Sequence, residues 1–120
     1  MIKNTLVLGA SLNSNRYSYL AIKSLVAKGL NVRALGKMEG VVDGITIYSE
    51  KKDFKDIHTI SMYLNSKNQI EYYEYIVSLK PKRVIFNPGS ENIELENILK
   101  KHNISYEKSC TLVLLSINMF

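Results

Sequence analysis

The sequence predicts an α/β fold of the doubly wound kind, a mainly parallel five-stranded sheet with helices on both faces. Three observations predict it. Thr5-Leu6-Val7-Leu8-Gly9 is a short continuous apolar run closed by a glycine, the pattern of a strand buried on both faces. Strand-like and helix-like segments alternate along most of the chain, and parallel neighbours need crossovers long enough to hold a helix. The 120 residues allow one core and no second, so residues 1–120 read as a single domain.

Each element has its own warrant. After a polar loop, Tyr19 to Lys28 sets Ala21, Ile22, Leu25 and Val26 on one helical face, with Ser18 as N-cap and Gly29 as the stop. Asn31 to Leu35 follows as a strand. Gly36 to Gly44 holds three glycines and reads as an irregular loop, after which Ile45 to Tyr48 forms a short extended piece. Ser49 to Asp56 is charged and short, with Phe54 and Ile57 as anchors against the core. Residues 58–64 are rich in β formers and give another strand. Ser66 then caps a helix that turns Ile70, Tyr73, Ile76 and Val77 inward and finishes before Pro81. Arg83 to Phe86 is the next strand. Ser90 opens a helix in which Glu91, Glu94 and Glu96 precede Lys100, Lys101 and His102, the charge order a helix dipole favours. Ile104 to Tyr106 makes the last strand, ahead of an apolar tail from Thr111 to Ile117.

Composition narrows the function. An apolar fraction of 46% beside 22% charged residues is globular, not disordered or collagen-like. No apolar run approaches the ~18 residues of a membrane span, so the expected address is the cytoplasm, with no membrane partner. The single Cys110 has no partner for an internal disulfide, and two histidines with one thiol are a poor supply of metal ligands. A net charge of +5 favours anionic partners. The cations scatter apart from Lys51, Lys52, Lys55 and Lys80, Lys82, Arg83, which reads as a solvated rim and not as a nucleic-acid stripe.

In a doubly wound sheet, ligands bind outside the carboxyl ends of the strands, near the point where strand order reverses. The loop Gly9 to Ser18 joins a buried strand to a helix N-terminus, where unpaired N–H groups and the dipole favour an anion such as a pyrophosphate. The dinucleotide fingerprint would require glycines at 9, 11 and 14, and the last two are serines. Small residues there still admit a phosphate, and Arg16 adds charged hydrogen bonds worth ~1.5 to 3 kcal/mol each. The same loop is equally well a tight structural turn. After the second strand stand Leu35-Gly36-Lys37, without the carboxylate that holds the NAD ribose; a cation there suits a phosphorylated ribose, as in coenzyme A or NADP, or is a solvated lysine. Asn87-Pro88-Gly89-Ser90-Glu91-Asn92 enters the last helix at the same edge, with Ser90 as cap and Asn87 and Asn92 as candidate ligand donors. Tyr63 and Asn65 border the third crevice loop, as a stacking surface or as core rim.

Gly9-Ala10-Ser11 with Asn15-Arg16-Tyr17-Ser18, the segment from Gly36 to Tyr48, Asn87-Pro88-Gly89-Ser90-Glu91-Asn92 and the late Cys110 together resemble the small stand-alone CoA-binding proteins, over about residues 4 to 115. These are related to the nucleotide-binding domain of the succinyl-CoA synthetase α subunit. The resemblance implies a Rossmann-like fold that holds coenzyme A or an acyl-CoA. Carried over, it implies that Gly9, Ala10 and Ser11 meet the pyrophosphate with Arg16 and Ser18 nearby, and that Gly36 and Lys37 face the phosphorylated ribose. It also implies that Tyr63, Leu64 and Asn65 border adenine or the start of the pantetheine arm, and that Pro88, Gly89 and Asn92 border the arm. The chain departs from many members in carrying Leu35-Gly36 where they have proline or asparagine, and in its apolar tail.

No nucleophile, base and orienting acid can be assembled from these residues. His58 and His102 read as structural, Glu91 is explained by the helix dipole, and Cys110 reads as a small buried hydrophobe. The expectation is noncatalytic binding of coenzyme A or an acyl-CoA. Two alternatives stand beside it: an NADP-dependent oxidoreductase using the same crevice, and an interaction module with a vestigial nucleotide site. A homodimer formed through the apolar tail is compatible with either binding reading.

Overall fold

The first strand, β1 (Asn4–Ala10), lies at the middle of the sheet because it is apolar on both sides. Leu6 and Leu8 point into one core, while Val7 and Ala10 point into the other. Each fully buried side chain of this size contributes about 1.5 to 3 kcal/mol. A computed structural model describes residues 3–120. Within them the chain continues through α1 (Tyr17–Ala27), β2 (Asn31–Gly36), β3 (Gly40–Val42), β4 (Ile45–Tyr48) and β5 (Ile57–Met62). Beyond β5 come α2 (Ser66–Gln69), a 3-10 turn (Ile70–Tyr72), α3 (Tyr73–Leu79), β6 (Arg83–Phe86), α4 (Ile93–Lys101), β7 (Ser105–Lys108) and α5 (Thr111–Ser116).

The strands order as β3-β4-β2-β1-β5-β6-β7. All neighbours are parallel except β3 with β4. The order reverses at β1, which sends its connection to β2 on one side and later receives β5 on the other. Ile22 and Leu25 of α1 and Leu115 of α5 fill one face of the sheet. Ile76 of α3 and Leu95 and Leu99 of α4 fill the opposite face. The α/β, Rossmann-like expectation holds, with seven strands in place of five.

The two additional strands come from the glycine-rich stretch. Ile45 to Tyr48 pairs with β2 and is a member of the sheet. Within the expected loop, Gly40 to Val42 folds back on it antiparallel. The reversal is made by Asp43 and Gly44, both with positive φ (47° and 80°), as a two-residue hairpin of the primed type requires. The apolar tail is α5, whose Leu115 is buried against the α1 side of the core.

Three caps differ from expectation. Arg16, not Ser18, occupies the N-cap of α1, and Ser18 is buried in the first turn. Asn65, not Ser66, caps α2 by accepting the Asn68 amide at 3.0 Å. Asn92, not Ser90, caps α4 by accepting the Leu95 amide at 3.2 Å. In each of the last two an asparagine one or two residues from the expected serine has the reach to the first-turn amide. The helix expected to run on from Ser66 is broken by the 3-10 turn. Its inward phase shifts accordingly: Gln69 is fully buried, whereas Ile70 is exposed.

Candidate ligand cleft

A cleft of about 440 Å³ opens at the carboxyl ends of β1, β2, β5 and β6, at the point of strand reversal. It is lined by Gly9, Ala10, Ser11, Arg16 and Ser18 from the first loop, by Gly36 and Lys37 after β2, by Tyr63 and Leu64 after β5, and by Pro88 after β6. The structure thus brings together most of the residues the sequence singles out.

The first loop is built for close approach. Gly9 has a φ of +96°, and a Cβ there would stand 3.0 Å from the Leu64 amide nitrogen and 3.1 Å from the Tyr63 carbonyl carbon. Only glycine allows β1 to end this tightly against the chain leaving β5. Past it, the Asn13 amide is taken by Ser11 Oγ at 3.0 Å and the Asn15 amide by Asn13 Oδ1 at 2.9 Å, which curl the loop. At α1 the situation differs. The Arg16 side chain caps nothing, and the first backbone bond of the helix runs from Leu20 to the Arg16 carbonyl. Among the described residues, no side chain caps the first-turn amides of Tyr17 and Ser18, which line the cleft. Arg16 and Lys37 lie exposed at the cleft wall, and neither makes an ion pair among the described residues.

Asn65, Gly89 and Asn92 do not line the cleft. Asn65 is engaged as the α2 cap. The Gly89 amide donates to Glu91 Oε1 at 2.9 Å, which also engages the Glu91 carboxylate. Asn92 is buried, and its Nδ2 donates to Gln69 Oε1 and to the Tyr73 hydroxyl, both at 2.9 Å. The Asn92 amide thus makes both donations within the protein, tying α2 and α3 to the start of α4. Asn87 is likewise internal: Nδ2 donates to Ser61 Oγ (3.0 Å) and to the Met62 carbonyl (2.9 Å), while Oδ1 accepts the Thr111 amide (2.8 Å). Ser90 Oγ donates to the Asn87 carbonyl, and Gln69 Nε2 donates to the carbonyls of Ser90 and Leu64. This buried network locks the loops after β5 and β6 to each other and to α2, α4 and α5.

Tyr63 stands at the edge of this network. Its hydroxyl oxygen is buried without a hydrogen-bond partner. Burial pushes the phenol up to about 12; Ser61 and Thr111 stand close enough to temper the shift without completing a bond of good geometry. Cys110 lies half-buried at the start of α5 and does not line the cleft. His58 and His102 border depressions that include Lys80 and Lys82 and are distinct from the cleft. Burial, reinforced by Lys3, Arg83 and Lys82, holds the His58 pKa below its ordinary value.

Two lining residues, Tyr17 and Leu35, stand inside motifs the sequence singles out without a ligand role of their own, and three more, Asn68, Glu71 and Tyr72, escape it altogether. Asn68, Glu71 and Tyr72 fall at the i, i+3, i+4 spacing that shares one helical face, which is a legible signal once the inward phase is set by Gln69. Lys51 holds this stretch in place, donating to the Glu71 carbonyl at 2.6 Å with its Nζ 5.1 Å from the centre of the Tyr72 ring.

The sequence matches the family described as CoA binding domain over residues 3–116, nearly its whole length. The chain belongs to the CoA binding domain family. A crystal structure of an uncharacterized protein is similar at 47% identity, with a TM-score of 0.95 over 100% of this chain and 99% of that one. A conserved hypothetical protein from Pyrococcus furiosus shares 27% identity and a TM-score of 0.80, covering 94% of this chain and 98% of that one. The fold also recurs in the dinucleotide-forming acetyl-coenzyme A synthetase 1 of Ca. Korarchaeum cryptofilum, solved with phosphate and ADP. There the identity is 15% and the TM-score 0.73, over 88% of this chain and 25% of that one. No curated protein matches the sequence. No helix of this CoA-binding-family chain, among the described residues, is long and apolar enough to cross a membrane.

The cleft suits such a ligand in its chemistry. Uncapped first-turn amides of α1 adjoin it, and two cations that make no ion pair among the described residues flank it.

Proposed function

We propose that this protein binds coenzyme A or an acyl-CoA in the cleft without transforming it. The diphosphate sits against Gly9, Ala10, Ser11 and the first turn of α1, and Arg16 adds charged hydrogen bonds. Lys37, beside Gly36, pairs with the phosphate on the ribose, while Tyr63 and Leu64 border the adenosine and Pro88 borders the pantetheine arm. The observation that carries this reading is the opening of the uncapped α1 N-terminus into a cleft at the strand reversal. Membership of the CoA binding domain family supports the ligand class. A micromolar complex requires about 8.2 kcal/mol net. A few charged hydrogen bonds at ~1.5 to 3 kcal/mol reach that only with burial of the base, after ordering costs.

Calorimetric titration with CoA, dephospho-CoA and NADPH tests the reading. CoA should bind more tightly than NADPH. Lys37→Ala should weaken CoA and leave dephospho-CoA nearly unchanged, whereas Arg16→Ala should weaken both. Equal losses for the two coenzymes in Lys37→Ala would refute the role of Lys37, and preference for NADPH would favour the oxidoreductase alternative.

A further inference from the structure

The cleft is flanked by two cations, yet it also contains a carboxylate. Glu71 is the one acidic residue that lines it among the described residues. A carboxylate beside a polyanion weakens binding unless it makes a contact of its own. Glu71 stands with Asn68 and Tyr72 on the wall contributed by the segment after β5, and Leu35 to Lys37 line the cleft from the end of β2. A ligand whose diphosphate meets α1 places its nucleoside toward the end of β2. Its ribose phosphate repels a carboxylate. The exocyclic amine of adenine is a neutral donor set apart from the phosphates, and an ionised carboxylate is an acceptor only.

From this placement, and resting on the coenzyme A reading above, we infer that Glu71 is the base-selecting residue of the cleft. Its carboxylate accepts a hydrogen bond from the adenine N6 amine, beside the ring of Tyr72. The anchoring of this stretch by Lys51 limits the ordering cost of the contact, since the Glu71 carbonyl is already held at 2.6 Å. Asn68, one helical turn away on the same face, presents a side-chain amide able to donate or accept, which suits the ring nitrogens of the base. Glu71 is therefore a specificity residue whose charge opposes the phosphates and whose contact rewards adenine.

The test is a four-way calorimetric comparison of wild type and Glu71→Ala, each titrated with CoA and with 1,N6-etheno-CoA, in which the amine is tied into a ring. Wild type should prefer CoA by at least about tenfold, the low end for a hydrogen bond to a charged acceptor. In Glu71→Ala the preference should shrink at least about threefold relative to wild type, because any steric penalty of the added ring is common to both proteins and cancels in that ratio, leaving the lost contact. Glu71→Gln, which keeps an acceptor and loses the charge, should retain part of the preference. An unchanged preference in Glu71→Ala overturns the inference, and so does a wild type indifferent to the etheno bridge. Tighter binding of both ligands by Glu71→Ala with the same ratio between them would leave Glu71 as a repelling charge only. Failure of wild type to bind either coenzyme is a different result, which sinks the coenzyme A reading itself.

Discussion

A methyl group on Gly36 would stand 2.1 Å from the carbonyl oxygen of Ala10. These two residues close β2 onto β1 at the cleft. The register steps there from Leu8 opposite Leu35 to Ala10 opposite Gly36, leaving Gly9 out of the ladder as a bulge. Gly36→Ala should therefore force the two backbones apart and cost about 1 to 3 kcal/mol, read as a lowered urea midpoint. CoA affinity should fall with it, since Ala10 leads into the phosphate loop. An unchanged midpoint would show that the strand ends part freely.

Asn92 joins three elements from a buried position, so its loss leaves Gln69 Oε1, the Tyr73 hydroxyl and the Leu95 amide each without this partner. Asn92→Ala is expected to destabilise by about 1 to 3 kcal/mol. Measured well below the new melting temperature, CoA affinity should stay close to that of wild type. A large loss of affinity at unchanged stability would instead put the side chain on the ligand.

Tyr63 sets a stability change at high pH. Burial raises its phenol from 10.0 to about 12 in the folded chain, so the unfolded chain ionises first. The contribution is complete below about pH 10 and is lost as pH rises to about 12. Tyr75, also raised to about 12 by burial, adds in the same window, reduced by its partial exposure. Denaturant titrations across this range should show a shallower decline for Tyr63→Phe than for wild type. At neutral pH that variant should be as stable or more so, because a buried hydroxyl without a partner is removed.

Arg16 and Lys37 are solvent-exposed, so their attraction for phosphates is screened by salt. CoA affinity should drop steadily as sodium chloride rises from about 0.05 to about 0.5 M, where the Debye length shrinks several-fold. The slope should be smaller in Arg16→Ala and Lys37→Ala. Affinity indifferent to salt would mean that the diphosphate is not held by charge.

The hairpin at Asp43-Gly44 shows where local signals suffice and were outweighed. An Asp-Gly pair between Val42 and Ile45 is a strong two-residue turn signal. Three glycines in nine residues read as a loop, and β3, only three residues long, is too short to show strand alternation against them. Ile70 shows the opposite limit. Its apolar side chain fits an inward helical phase, yet Gln69 takes that place by bonding the carbonyls of Leu64 and Ser90. A buried polar network of this kind is specified by distant partners, so periodicity alone misses it, and with it the cleft face of Asn68, Glu71 and Tyr72.

What the sequence determined by itself is five of the seven strands, the glycine turn after β1 and the cationic positions 16 and 37, because these follow from local apolar runs, backbone freedom and charge. Only the tertiary structure decided which loops meet. Strand order carries the ends of β2, β5 and β6 to the N-terminus of α1. Long-range hydrogen bonds then turn Asn87 and Asn92 inward and leave Glu71 on the cleft wall, and no local pattern encodes partners 20 or more residues away.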